Sequence, residues 1–159
     1  MITDQLQDIS IRPFESDDAG DVSQLVIDNL MRVNIGDYGE AAVRQLACGY
    51  SPWLLLEYAR NGEMYVAVEG SSIVGTATLQ QDRVRNVFVR IDHHKQGIGR
   101  VLMQYIEGAA SRQGVQRLFL LANISAVGFY QNLGYVYVEE KEERIGDTQL
   151  KMVVMEKVL

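Results

Sequence analysis

Two histidines, a lysine and two glycines fall within seven consecutive residues, His93-His94-Lys95-Gln96-Gly97-Ile98-Gly99, and Arg100 follows directly. This run joins a strand-like stretch, Arg83 to Val89, to a long amphipathic helix that opens near Gly97. Glycines at a strand-to-helix turn let backbone N–H groups come close to an anion, and the helix dipole adds positive potential there. A phosphate-bearing ligand fits that chemistry. The alternative is a tight turn that needs two glycines for its geometry alone. Adjacent histidines in one turn, with no other histidine and only Cys48 as a thiol, make a poor metal site, so no metal is expected.

The remaining chain must position these residues. Its 159 residues suit one domain with its own core, and residues 1–159 are read that way. A net charge of −6 argues against a nucleic-acid partner, which needs a basic face, and mildly favours cationic ligands such as amines. One cysteine excludes an intrachain disulfide. The N-terminus lacks a basic-then-apolar leader and no apolar run is long enough for a membrane span. A cytoplasmic protein without a membrane partner is therefore expected.

Ile9 to Phe14 reads as a first strand. Ser16-Asp17-Asp18 signals a helix start, and Val22, Leu25, Val26, Leu30 and Val33 share one helical face. Asp37 to Cys48 reads as a second helix. A third opens at Ser51-Pro52 and closes at Asn61-Gly62. The period then changes. Met64–Val68, Ile73–Leu79 and Arg83–Val89 form a three-strand meander. Ile98, Val101, Leu102, Tyr105, Ile106 and Ala109 lie on one face of the helix after the glycine turn, which ends at Gly114. Arg117 to Ala122 is a buried-looking strand, Ser125 to Leu133 a short helix, and Tyr135–Val138 and Gln149–Met155 the last strands. Glu139 to Arg144 between them reads as a solvated charged loop. The order predicts a mixed α/β fold with one crossover around the Gly97 helix.

On these motifs the chain resembles the GNAT superfamily of acyl-CoA-dependent N-acyltransferases over nearly its whole length. The family signature is Gln or Arg, two free positions, Gly, one free position, then Gly or Ala. His94 to Gly99 fills it, with His94 where Gln or Arg is usual. Val89 matches the valine that closes the preceding strand, and Ile91 replaces a frequent proline. Asn123-Ile124-Ser125-Ala126 with Phe129-Tyr130 and Leu133-Gly134-Tyr135 is similar to the family's second segment. Ile11-Arg12-Pro13-Phe14, followed by Asp17-Asp18-Ala19, is a typical family opening.

The resemblance implies a central, mostly antiparallel sheet of about seven strands, flanked by helices and splayed at an acyl-CoA cleft. It implies acetyl-CoA as co-substrate and an amine as acceptor. The backbone of Gln96, Gly97, Ile98, Gly99 and Arg100 would cradle the pyrophosphate, with His94, Lys95 and Arg100 near the phosphates. The pantetheine arm would pair with backbone at Val87, Phe88 and Val89, and the Val89 N–H would polarise the thioester carbonyl. Tyr130 would be the general acid, since a phenol with a pKa of ~10 is protonated at neutral pH; otherwise it is a packing aromatic. Asn123 would bond the pantetheine arm or a water, or else cap a helix.

The base is not evident. Many relatives carry a glutamate on the strand before the turn, and counting back places Arg83 there. Ordered water, Glu40 or Glu57, or an acceptor of low pKa remain the options. Tyr38, Tyr50 and Trp53, with Asp37 and Glu40, would form the acceptor region, unless the aromatics only cap the core. Direct acetyl transfer is the leading reading, and a catalytically weak acyl-CoA-binding regulatory module is the alternative. The last strands can also pair across a homodimer.

Overall fold

The computed structural model describes residues 6–159. Strand β1 (Ile9–Pro13) leads through a 3-10 turn at Ser16–Asp18 into α1 (Ala19–Asn29). A π-helical turn at Leu30–Asn34 continues into α2 (Ile35–Tyr38), and α3 (Glu40–Cys48) and α4 (Pro52–Arg60) follow. The meander is β2 (Glu63–Glu69), β3 (Ser72–Gln80) and β4 (Arg83–Val89). After a 3-10 turn at Ile91–His93 come α5 (Ile98–Arg112), β5 (Arg117–Ala122), a second 3-10 turn at Ile124–Ala126, α6 (Val127–Asn132), β6 (Val136–Ile145) and β7 (Thr148–Val158). No helix among the described residues is long and apolar enough to cross a membrane.

The seven strands form one sheet in the order β1-β2-β3-β4-β5-β7-β6. Every pairing is antiparallel except β4 with β5. That parallel pair keeps a single register partner, Arg83 with Phe119, beside the Phe119 N–H bond to Asp82 O at 2.9 Å. Beyond it the two strands part, and the sheet is split from β4 to β5. Each face carries its own core. One packs Ile98, Leu102, Met103 and Ile106 of α5 against β3, β5 and β7. The other packs Val22, Leu25, Val26 and Leu30 of the first helix, with Val43 and Leu55, against β2 and β3. Gly75 of β3 is what lets α5 settle: a Cβ there would lie 2.8 Å from Leu102 Cδ1.

Three expectations fail. Val33, expected on the buried face of the first helix, is 41% exposed. Val33 lies inside the π turn, whose wider winding turns its side chain away from the face of Val26 and Leu30 and into the lining of the cleft. Asp37 to Cys48 is not one helix, because Gly39 at φ +81° breaks it. Glu139 to Arg144 is not a loop but the middle of β6, paired along its length with β7. A two-residue turn, Gly146-Asp147, closes this hairpin, with Gly146 at φ +58°. β6 lies at the edge of the sheet, where charged side chains are tolerated and deter pairing with another chain.

Candidate active site

The split between β4 and β5 opens a cleft of about 970 Å³ that collects nearly all the residues singled out from the sequence. At one end lies the glycine turn. Lys95 and Gly97 both take left-handed backbone, φ +61° and +89°. Gly97 precedes α5 and no side chain caps the helix start. The first N–H groups of a helix have no intrahelical acceptor, so those of Ile98 to Arg100 are presented to an incoming anion. Lys95, Gly97, Ile98, Gly99 and Arg100 line the cleft. Gln96 does not; its side chain donates to Asp92 O at 3.2 Å.

The histidines serve the turn. His94 Nε2 lies 2.7 Å from Val89 O and 3.1 Å from Asn29 Oδ1. A carbonyl only accepts, so this nitrogen carries the proton. Asn29 Nδ2 donates to the same Val89 O at 2.9 Å, which ties the end of β4 to α1. His93 places Nδ1 2.7 Å from Asp92 Oδ1 and Nε2 2.9 Å from Glu69 Oε2. Burial opposes the charge on His93, but the two carboxylate bonds outweigh it and raise its pKa. Among the described residues no group of His, Cys, Asp and Glu is arranged to hold a metal ion.

The β4 wall supplies backbone. Arg90 N–H bonds Val74 O, and Val89 stands opposite Gly75 one step earlier. By the alternation of an antiparallel ladder, the Val89 N–H turns away from β3 toward the side that β5 has left. A bulge precedes it: Asn86 and Val87 together face Ala77, and Asn86 takes φ +56°. The Tyr50 hydroxyl holds this bulge by donating to Asn86 Oδ1 at 3.0 Å. Val87, Phe88 and Val89 all line the cleft.

Tyr130 lines the cleft while only 8% exposed. Its ring meets Phe129 and Tyr135 edge-on, at centroid distances of 5.0 and 5.9 Å. Burial, with a further contribution from Tyr38, pushes its phenol well above the ordinary tyrosine range, so it stays protonated. Phe129 rests on the glycine turn, where a Cβ on Gly99 would lie 3.0 Å from Phe129 Cζ. Asn123 sits at the N-cap position of the 3-10 turn, but its side chain makes no capping bond. It donates to Asp37 Oδ2 at 2.8 Å, and Ser125 Oγ donates to the same oxygen at 2.7 Å. These bonds fasten α2 to the end of β5.

Tyr38 and Tyr50 also line the cleft. Trp53 is 66% exposed and outside it. Glu40 and Glu57 are also outside, engaged with Arg44 and Arg60 on the surface. Arg83 does not line the cleft either; Arg85 and Asn86 do. Among the described residues the cleft's only lining carboxylate is Glu143 of β6. Sequence reasoning missed it by reading its segment as a loop. The signal was Gly146-Asp147, a two-residue hairpin turn between Ile145 and Thr148.

Known proteins share this fold. The family model described as "Acetyltransferase (GNAT) domain" matches residues 37–159. The uncharacterized N-acetyltransferase YjcF of Bacillus subtilis is 29% identical over 90 residues, 54% of this chain and 64% of that protein. The chain thus spans less than two thirds of that relative's length. The fold matches a GCN5-related N-acetyltransferase structure from Rhodopseudomonas palustris with a TM-score of 0.89 at 22% identity, over 94% of this chain and 95% of that one. It also matches the PaiA N-acetyltransferase of Thermoplasma acidophilum, solved in complex with coenzyme A, with a TM-score of 0.81 at 18% identity, over 95% and 99% of the two chains. With the glycine turn, the split sheet and a family model that covers most of its length, the chain belongs to the GNAT acetyltransferase family.

Proposed function

We propose that this protein is an N-acetyltransferase that moves an acetyl group directly from acetyl-CoA to a primary amine, with residues 1–159 acting as one acetyltransferase domain. The observation that carries this reading is the position of Tyr130. A buried, protonated phenol lines the gap between β4 and β5, next to an uncapped helix start.

The residues fit the donor. The open N–H groups from Ile98 to Arg100 suit a pyrophosphate, with Lys95 and Arg100 adding positive charge. The open backbone edge at Val87 and Val89 suits an amide-bearing arm laid along it as an added strand. The Val89 N–H donates to the thioester oxygen and stabilises the charge that grows there. Attack by a neutral amine forms the C–N bond and breaks the C–S bond. Tyr130 gives its proton to the leaving thiolate, and the nitrogen sheds a proton that restores the phenol. Cys48 is exposed and outside the cleft, which disfavours an acyl-enzyme route.

A thiol-release assay over a panel of primary amines, with the products identified by mass, tests the reading. N-acetylated product in step with thiol release is the expected result. Saturable acetyl-CoA binding without turnover of any amine would favour the regulatory binding module instead.

A further inference from the structure

The acceptor end of the cleft carries two opposite charges that the transfer chemistry leaves unused. Arg85 lies four residues before Val89 on β4, and the bulge matches that stretch to three steps of β3, Thr78 to Gly75, roughly 10 Å along the strand. It sits beyond the Asn86 bulge, on the far side from the glycine turn, and so out of place for the donor's phosphates. Arg85 forms no ion pair and no side-chain hydrogen bond among the described residues. Glu143 is the lining carboxylate, and its nearest cation, Lys141 Nζ, is 3.8 Å away.

Two phenols flank these charges. Tyr50 donates to Asn86, the residue next to Arg85 on β4, and so stands on the Arg85 wall of the cleft. The Tyr38 hydroxyl lies 3.5 Å from Met152 Sδ, two residues along β7 from Leu150, the register partner of Glu143, and so stands on the Glu143 wall. The two charges thus face one cleft from different walls, each beside a phenol.

We infer that the acceptor is an amine that also carries a carboxylate, with its ammonium drawn in by Glu143 beside Tyr38 and its carboxylate bound by Arg85. A guanidinium holds a carboxylate through two parallel hydrogen bonds, which an amide cannot replace. A simple alkylamine or diamine meets Glu143 but brings no partner to Arg85. The inference rests on the acetyltransferase reading and narrows its substrate class.

The test pairs each amino acid with its C-terminal amide, and β-alanine with its amide, in the thiol-release assay. O-phosphoethanolamine serves as the phosphate arm. Wild type is expected to favour the acid over its amide by about tenfold or more in kcat/KM, the range of a charged hydrogen-bond pair. R85Q should bring the acid down to the level of its amide. E143Q should raise KM for acids and amides alike. Acetyl-CoA affinity, measured by calorimetry in both variants, reports whether the fold and donor site are intact. Equal turnover of acids and amides, or an acid preference that survives in R85Q, overturns the inference and leaves acetyl transfer standing. Preference for O-phosphoethanolamine over every carboxylate overturns the carboxylate assignment. No turnover of any amine overturns the transferase reading and this inference with it.

Discussion

Removing one oxygen from Tyr130 separates chemistry from folding. The phenol makes no hydrogen bond to another described residue, so Tyr130→Phe leaves no buried partner unsatisfied. The ring keeps its edge contacts to Phe129 and Tyr135 at 5.0 and 5.9 Å. Stability should change by no more than about 0.5 kcal/mol, a Tm shift within about 2 °C. On the proposed reading the donor is held by backbone N–H groups elsewhere in the cleft, so acetyl-CoA affinity should stay within about twofold. Proton donation to the thiolate is a different matter. A positioned general acid contributes about 10²- to 10⁴-fold in rate, or about 3 to 5 kcal/mol of barrier. The variant should therefore lose kcat by that factor at saturating acetyl-CoA. Burial raises the wild-type phenol above its ordinary range, so the acid form persists and kcat should not fall between pH 7 and 10 from loss of this proton. Steady-state thiol release, thermal melts and calorimetric titration of the same preparations decide the matter. A kcat within twofold of wild type would refute the role of Tyr130.

Three further perturbations probe the support of the site. Gly99→Ala puts a Cβ 3.0 Å from Phe129 Cζ, and overpacking of this kind costs about 1–3 kcal/mol. Tm and acetyl-CoA affinity should both fall, and Phe129→Leu in the same chain should recover part of the Tm; an unchanged single variant contradicts the contact. His93 is raised above its unfolded value of about 6.5. Its stabilising contribution is full below about pH 6.5 and is lost as pH rises through the folded value. The Tm difference between wild type and His93→Gln should shrink across that window, and a flat difference from about pH 5.5 to 9 speaks against it. Asp18 accepts two bonds from Arg12, at 2.7 and 2.9 Å, and one from the Glu15 N–H at 2.8 Å. The Arg12 bonds lead in holding its carboxyl below the usual range. That contribution is full above about pH 4 and is lost as pH falls through the folded value. Because Arg12 is partly exposed, Asp18→Asn should cost only about 1–2 kcal/mol at pH 7, or roughly 2 to 8 °C in Tm. Parallel melts at pH 7 that coincide would remove this pair from the account.

The glycine turn was legible because local rules specify it. A glycine needed for left-handed backbone, a strand before it and a strongly periodic helix after it leave few choices, and Gly97 at φ +89° bears this out as backbone geometry. The β6 wall of the cleft depends on long-range pairing. Glu139 to Arg144 has the composition of a solvated loop, and only its ladder with β7 makes it a strand that carries Glu143 to the cleft. Arg83 is still paired with Phe119 of β5, below the point where the strands part, so the count along the sequence reached a residue outside the cleft while Arg85, two residues on, lines it. The π turn has no composition signal in Leu30–Asn34, so Val33 was assigned the wrong face. Asn123 has the residue type of a cap, but Asp37, eighty-six positions away, takes its side chain.

Calorimetric titration of acetyl-CoA into the protein tests the central claim, that the gap between β4 and β5 is a donor site built on the glycine turn. The account predicts saturable one-to-one binding. It also predicts at least about tenfold weaker binding in Gly97→Ala, whose new Cβ would be strained at φ +89° and 3.3 Å from Leu6 Cδ1. No saturable heat, or an affinity that Gly97→Ala leaves unchanged, would contradict it.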